Sequence, residues 1–420
     1  MKRKHKMKTK MNFRIITIIS ALLPVAAAAQ TVTYDEYMKC VARDNAEAIA
    51  EKYSLDIAEA NLNAAKVFND PELAVSYGNN QDWDLMMGQN VDVELGYNFS
   101  LGGVRRARIN ASMSEKEMTE ASLDAFMCRL RAEASIAWAE AWKLKEMCNL
   151  LEEEAAGMQK IADGDSIRLA LGDISRADAM QSALEAKAAR SEVLGMKAEY
   201  RNALAVLSLM AGGIQIGDIE NGAFKEDFTD PGMTAIYDIA ESERADLRAA
   251  ELSHRLSENN LALVKASRAM EMGLSLGYSF NTEVRNEIAP APTFHGLVVG
   301  VSIPLKFSSM NKGELNAAKK AADQQKSYHD AARLQVRTEV AQAYNSWQSA
   351  REVLAQYDDG MLDSAKEIYE SRQEAYRKGD SSLLEVLSAR STYNGIMSAY
   401  IDAVCNYHIS SAMLRQAIGR

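Results

Sequence analysis

Proline and glycine are scarce in this 420-residue sequence, with only six and 23 of them. So few breakers predict long uninterrupted elements, and helices are the natural form for them. Long apolar runs are missing as well. Beyond the first 29 residues, none approaches the ~20 apolar residues that a membrane-spanning helix needs. Any membrane segment must therefore be β. An excess of positive charge is also lacking: 58 acidic against 48 basic side chains leave a formal net charge of -10. That balance argues against a nucleic-acid partner.

Groups that could do chemistry are equally thin. Cysteine is limited to Cys40, Cys128, Cys148 and Cys405, with no CxxC pair. On one helix, Cys128 and Cys148 would lie roughly 30 Å apart, too far to bridge. Four small buried side chains are a simpler reading than a zinc site, while an oxidising compartment leaves a Cys40 to Cys405 bridge open. His254, His295, His329 and His408 are scattered without ligand spacing, and His5 lies in the leader. Neither a Walker loop nor a dinucleotide fingerprint occurs, so any energy source belongs to a partner. No enzyme, catalytic residue, cofactor or metal site is expected. The 21 methionines invite a copper or silver assignment, but Met270 and Met272 fall on a predicted lipid face, where packing explains them.

What is present begins with a leader. Lys2, Arg3, Lys4, Lys6, Lys8, Lys10 and Arg14 precede the apolar stretch 15–29, which ends in small residues at Ala27 and Ala29. This pattern predicts a secretory signal over 1–29, cleaved near Gln30, rather than a membrane anchor. Cys40 is the first cysteine, so the mature start offers no acceptor for a lipid.

An internal duplication follows. RAEASIAWAEAW from Arg131 matches RTEVAQAYNSWQ from Arg337, and GDIS at Gly172 recurs as GDSS at Gly379. The expected organisation is a first repeat over 30–212, a connector over 213–233 that breaks both helix and strand patterns, and a second repeat over 234–420. Each repeat reads as helix, strand pair, long helix, tight break, long helix. Leu123, Phe126, Leu130, Ala134, Ala137, Ala141, Leu144, Cys148 and Leu151 recur at spacings of three and four, as do Val336, Val340, Ala343, Trp347, Ala350, Leu354 and Tyr357. These are coiled-coil-like seams. A helix over 104–162 would extend roughly 90 Å, more than an ordinary globular domain uses.

The strands carry the most information. Val93, Leu95, Tyr97, Phe99 and Leu101 alternate with Asp92, Glu94, Gly96, Asn98 and Ser100. Met270, Met272, Leu274, Leu276, Tyr278 and Phe280 alternate in the same way with Glu271, Gly273, Ser275, Gly277, Ser279 and Asn281. Leu297, Val299, Val301, Ile303 and Leu305 make a third apolar face, and Leu73, Val75 and Tyr77 a fourth, shorter one. Each strand is near the ~10 residues needed to cross a bilayer at a tilt. A soluble sandwich could also bury such faces, but here they come as one hairpin per repeat, each set between long helices. In lipid an open sheet is forbidden, and four strands cannot close a barrel whose smallest examples have about eight. Several copies must share one barrel. Asp92, Glu94, Asn98, Glu271 and Asn281 would then line a wet lumen.

Leader, duplicated halves, one hairpin per half and long coiled helices, in that order, resemble the TolC-like outer-membrane efflux proteins over essentially the whole mature chain. Asn69-Asp70-Pro71-Glu72-Leu73 resembles the lead-in to the family's first strand, and Ser302-Ile303-Pro304-Leu305 the end of its fourth. Tyr376, Gly379, Val386, Leu387 and Ala389 resemble a helix-hairpin tip. The resemblance implies a mainly α protein with membrane β: a homotrimeric duct, with a twelve-stranded transmembrane barrel of four strands per subunit above a long coiled-coil helical barrel. It implies a Gram-negative outer membrane, contact with lipid there, and helices reaching into the periplasm. It also implies passive export from an inner-membrane pump through a periplasmic adaptor, in tripartite efflux or type I secretion.

Gly172 and Gly379 can take positive φ and reverse the chain between antiparallel helices, which makes 168–173 and 376–380 the expected tight turns. The family places its adaptor contact at such tips, giving Arg168, Leu171, Gly172, Asp173, Tyr376, Lys378, Gly379 and Asp380 as candidates; plain solvent-exposed turns are the alternative. Six residues beyond each tip glycine stand Asp178 and Glu385. The family carries acidic constriction rings in the corresponding region, which implies a periplasmic gate there, although Ser388 stands where its second acid would fall. Two solvated acids on outer helix faces are the other reading. A periplasmic coiled-coil scaffold accounts for the helices but not the two-faced strands, and a general diffusion porin accounts for the strands but not the helical hairpins. The sequence does not distinguish drug, metal ion or protein as cargo.

Overall fold

The computed structural model describes residues 30–79, 87–220, 232–307, 312–357 and 360–420. The expected leader, and residues 221–231 of the expected connector, lie outside them. The first half comprises β1 (Gln30–Val32), α1 (Tyr34–Asp44), α2 (Ala46–Ala65), β2 (Glu72–Asn79), β3 (Gln89–Ser100), α3 (Val104–Leu171) and α4 (Arg176–Met210). β4 (Ile216–Ile219) follows. The second half comprises α5 (Met233–Glu243), α6 (Ala245–Ser267), β5 (Glu271–Asn281), β6 (Phe294–Ser302), α7 (Gly313–Ala355), α8 (Met361–Lys378) and α9 (Leu383–Ile418).

Four differences from the expected elements have physical causes. Part of the connector is not irregular, because Ile216–Ile219 pairs in parallel with Gln30–Val32 and buries Ile216 and Ile219. Helix α3 runs 68 residues to Leu171, roughly 100 Å at 1.5 Å per residue, because its apolar seam continues through Met158 and Ile161. The corresponding helix of the second half is instead split into α7 and α8, with Gly360 in the left-handed region (φ 76) at the start of α8. Strand β6 ends at Ser302, so Ile303 and Leu305 lie beyond it, where Pro304 has no N–H to give a ladder.

The four longer strands form one antiparallel sheet in the order β2-β3-β5-β6. Its register aligns Val75, Val93, Tyr278 and Leu297 in one row and Ser76, Asp92, Ser279 and Gly296 in the next. One face is therefore apolar and the other polar or tiny. Among the described residues nothing covers the apolar face: Leu297 is 74% exposed, Val299 71% and Leu95 53%. The strands do not build a soluble sandwich, and β2 and β6 are open edges of the sheet. No helix of the described residues is long and apolar enough to cross a membrane.

Below the sheet the helices continue its order, α2 packing on α3, α3 on α6 and α6 on α7. Farther from the sheet, two clusters form a belt. Tyr37, Leu130, Trp138, Leu207 and Ile219 pack in one, and Ile236, Val340, Trp347 and Leu414 in the other. Beyond the belt, α3, α4, α8 and α9 share a core of Met158, Ala186, Tyr369, Val386 and Tyr393. The seam residues Leu130, Ala134, Ala141 and Cys148 of α3, with Val336, Val340 and Trp347 of α7, are buried as the spacing predicted. All four cysteines are free thiols.

Candidate functional site

The lower bundle ends in two turns of the same construction. Gly172 (φ 82) closes α3, with the Asp173 N–H donating to Arg168 O at 2.9 Å; Gly379 (φ 86) closes α8, with the Asp380 N–H donating to Ala375 O at 2.9 Å. These are Schellman closures, which require a left-handed residue and therefore favour glycine. Arg168, Leu171, Tyr376 and Lys378 belong to the last turns of the helices, so the turns proper begin at the glycines. Leu171, Gly172, Asp173, Lys378, Gly379 and Asp380 are exposed, Leu171 to 70%. Tyr376 is not at the tip surface as expected. It is buried, because its ring joins the bundle core and its hydroxyl is taken up by an acid on the other hairpin.

That acid is Asp165 of α3, itself 1% exposed. The Tyr376 hydroxyl lies 2.9 and 2.8 Å from its two carboxylate oxygens and donates to them. Arg168 sits with its guanidinium over the Tyr376 ring, 5.3 Å from the centroid, and 3.7 Å from Asp165. Burial, then the hydrogen bond and negative charge of Asp165, push the Tyr376 hydroxyl up to about 12. The phenol is therefore a donor throughout the physiological range.

A second polar tie lies eleven residues up α3. Glu154, 5% exposed, accepts from Arg390 and Asn394 of α9, and Arg390 also reaches Glu185 of α4 at 3.6 Å. Below it, the rings of Tyr369 (α8) and Tyr393 (α9) stack at 5.5 Å. The bundle above the tips is thus joined by buried polar contacts that cross between the halves of the chain. Neither Asp165 nor Glu154 was singled out from the sequence. The signal was there: Leu150, Glu154, Met158, Ile161 and Asp165 share one stripe at spacings of four, four, three and four, so the two acids occupy positions that a seam gives to apolar residues.

Asp178 and Glu385, the candidate gate acids, stand in the first turns of α4 and α9. Ser175 caps α4, accepting from the Asp178 N–H at 3.1 Å while its hydroxyl donates to the Asp178 carboxylate at 2.8 Å. Ser382 caps α9, accepting from the Glu385 N–H at 3.3 Å. The Glu385 carboxylate also accepts from Ser381 and pairs with Arg372 of α8 at 3.2 Å. Both acids are exposed in the single chain, and each has a local helix-start role.

Asp92, Glu94, Asn98, Glu271 and Asn281 all belong to the polar face of the sheet. Asp92 accepts from Ser76 and Asn90, Glu271 pairs with Lys306 at 2.9 Å, and the Asn281 amide donates to Ser279. Their neighbours Gly96, Ser275, Gly277 and Gly300 are small. Among the described residues no group of three or more His, Cys, Asp or Glu could hold a metal ion.

The family model described as "Outer membrane efflux protein" matches residues 41–213 and 236–420. The chain is 23% identical over 405 residues to the cobalt-zinc-cadmium resistance protein CzcC of Cupriavidus metallidurans, across 96% of this chain and 94% of that one. It is 20% identical over 408 residues to the outer membrane efflux protein BepC of Brucella suis, across 96% and 89%. Among solved structures, the CmeC outer membrane channel of Campylobacter jejuni superposes with a TM-score of 0.75 at 16% identity, covering 92% of this chain and 85% of that one.

Proposed function

Because this chain belongs to the outer membrane efflux protein family, we propose that three copies of it close one duct, in which twelve strands cross the outer membrane and the helices reach into the periplasm. The family is one of outer-membrane efflux channels, and its work is transport rather than catalysis. The observation that carries the trimer is the open sheet. Among the described residues its apolar face is uncovered and each edge strand has a strand on one side only, a state lipid does not tolerate in one copy. Three copies give a barrel within the observed size range, with Asp92, Glu94, Asn98, Glu271 and Asn281 toward the water-filled lumen.

In this reading each subunit is a tandem of two repeats, over 30–212 and 234–420, joined by 213–233. The tips at Leu171, Gly172, Asp173, Lys378, Gly379 and Asp380, flanked by Arg168, meet a periplasmic adaptor, and the adaptor links the duct to an inner-membrane pump. Exposed Leu171 and the two glycine-closed turns support that contact. Asp178 and Glu385 form the acidic gate above the tips. Pump and adaptor select the cargo, and the similarity to CzcC makes divalent cations the first class to test.

Fractionation and gel mobility test the proposal. The mature protein is expected in outer membranes as a trimer that heating dissociates. A stable water-soluble monomer overturns it. Bulky residues at Leu171 and Lys378 are expected to abolish efflux while leaving the trimer intact, and undiminished efflux removes the tip contact.

A further inference from the structure

Charge is distributed unevenly about the sheet. Where the strands give way to helices, over 66–72, 101–110, 265–271 and 303–314, the chain carries eight basic against four acidic side chains, although its net charge is -10. In the first half Lys66 stands with Asp70 and Glu72, and Arg105, Arg106 and Arg108 open α3 with no acid before Glu115. In the second half Lys265 and Arg268 precede Glu271, and Lys306 and Lys312 precede Glu314. Two of the four acids belong to the polar face of the sheet. Glu72 pairs with Gly96 in the ladder, and Glu271 is held by Lys306 at 2.9 Å. At the opposite end of the sheet the sign reverses among the described residues: Glu283 and Glu287 outnumber Arg285, which pairs with Glu283 at 3.2 Å.

The basic groups come together at the corner between α2 and α3. The Arg105 guanidinium lies over the Phe68 ring, 4.0 Å from its centroid, and its Nε donates to the Lys66 carbonyl at 3.1 Å. Arg108 follows three positions on, along the same side of α3. No carboxylate of the described residues pairs with Lys66, Arg105 or Arg108. An arginine-rich first turn is the reverse of what a helix start favours, so these side chains are not there to stabilise α3. Phe68 is 65% exposed. Asn69 donates to Asn98 O at 3.5 Å, which sets Phe68 level with the end of β3, where the apolar face stops.

An exposed ring at the limit of an apolar surface, with cations beside it, suits a membrane boundary: the ring sits in hydrocarbon and the cations reach the headgroups. We infer that Lys66, Arg105 and Arg108 hold the phosphate of an anionic phospholipid in the leaflet on the helix side of the membrane. The inference rests on the reading that the sheet crosses the outer membrane, and it names the lipid class selected there. Guanidinium groups match phosphate oxygens in bidentate geometry. In phosphatidylglycerol the phosphate is the net charge of the headgroup. In phosphatidylcholine and phosphatidylethanolamine an attached cation cancels it, so the three basic groups favour the anionic lipid.

Electron spin resonance of the full-length protein tests this, in phosphatidylcholine vesicles containing a trace of spin-labelled phosphatidylglycerol or spin-labelled phosphatidylcholine. Each cation beside an anionic headgroup is worth about a fivefold preference. The protein is therefore expected to immobilise the phosphatidylglycerol label at least about fivefold more strongly than the phosphatidylcholine label, and molar salt is expected to erase the difference. Lys66→Gln with Arg105→Gln and Arg108→Gln is expected to bring the two labels to parity. Lys66→Arg with Arg105→Lys and Arg108→Lys keeps every charge and is expected to keep most of the preference, as is Arg285→Gln at the far end of the sheet. The inference is overturned if the unaltered protein immobilises both labels equally, or if the glutamine variant retains the preference. Failure to immobilise either label overturns instead the reading that the sheet spans a membrane.

Discussion

The Tyr376 hydroxyl and the Asp165 carboxylate, 211 positions apart, meet at 2.8 Å in the buried seam between the two helical hairpins. Asp165 is 1% exposed, so the hydroxyl is its principal compensation for leaving water, with Arg168 a more distant one at 3.7 Å. Tyr376→Phe keeps the ring in the core and removes only the donor. A buried acceptor stripped of its partner costs about 1–3 kcal/mol. The loss falls between the hairpins just above their tips. Amide exchange in 165–172 and 376–383 is expected to speed up while the belt near Trp138 and Trp347 is unchanged, and single-channel conductance is expected to rise. Exchange that accelerates uniformly along the chain would show that the contact is not local in its effect.

Glu154 presents a harsher case. Its carboxylate holds Arg390, whose side chain is only 12% exposed, together with Asn394. Glu154→Ala leaves that guanidinium with Glu185 alone, at 3.6 Å. Breaking a buried ion pair from one side costs on the order of 3–5 kcal/mol. A marked drop in Tm is expected, with Glu154→Gln, which retains an acceptor, losing less. Equal Tm values for the alanine variant and the parent would mean that the pair contributes nothing.

His408 of α9 makes stability depend on acid. Burial, aided by the charge of Arg415, lowers its pKa from 6.5 to about 4. Between those values the unfolded chain binds a proton that the folded chain refuses, so stability falls as pH drops from 6.5 toward 4. Above 6.5 this group has no effect. The full window is worth at most about 3 kcal/mol. Thermal unfolding from pH 7.5 to 4.5 is expected to show a shallower decline in His408→Gln than in the parent.

The sheet was the most legible part of the molecule. A strict period of two in Val93, Leu95, Tyr97 and Phe99 fixes which side of each strand faces which environment, and the observed rows follow from it. The seams were legible for the same reason, at the helical period. Less legible were features that depend on distant partners. Ile216–Ile219 is too short to declare itself a strand without Gln30–Val32 beside it. Tyr376 looked like a tip residue because position along the chain does not reveal the side of a helix on which a buried acid waits. The pairing of Tyr376 with Asp165 needed the fold, although an acid on an apolar stripe already marked Asp165 as unusual.

The candidate gate acids call for substitutions that separate charge from helix capping. Asp178 and Glu385 both occupy the third position after a serine cap, where an acid stabilises a helix start whichever way it faces. Alanine there removes a local contact worth about 0.5–1 kcal/mol as well as a charge. A changed conductance would then have two causes. Asp178→Asn and Glu385→Gln keep a polar group of similar size at each position but remove the negative charge, and Glu385→Gln also uncouples Arg372, now 3.2 Å from the acid. Three copies of two acids around a narrow axis would repel one another and attract cations. The neutral double variant is therefore expected to lose cation preference in planar bilayers while its Tm stays within a few degrees of the parent. Unchanged selectivity in that variant, with the charges gone and the helices intact, would assign both acids to helix capping and move the gate elsewhere in the bundle.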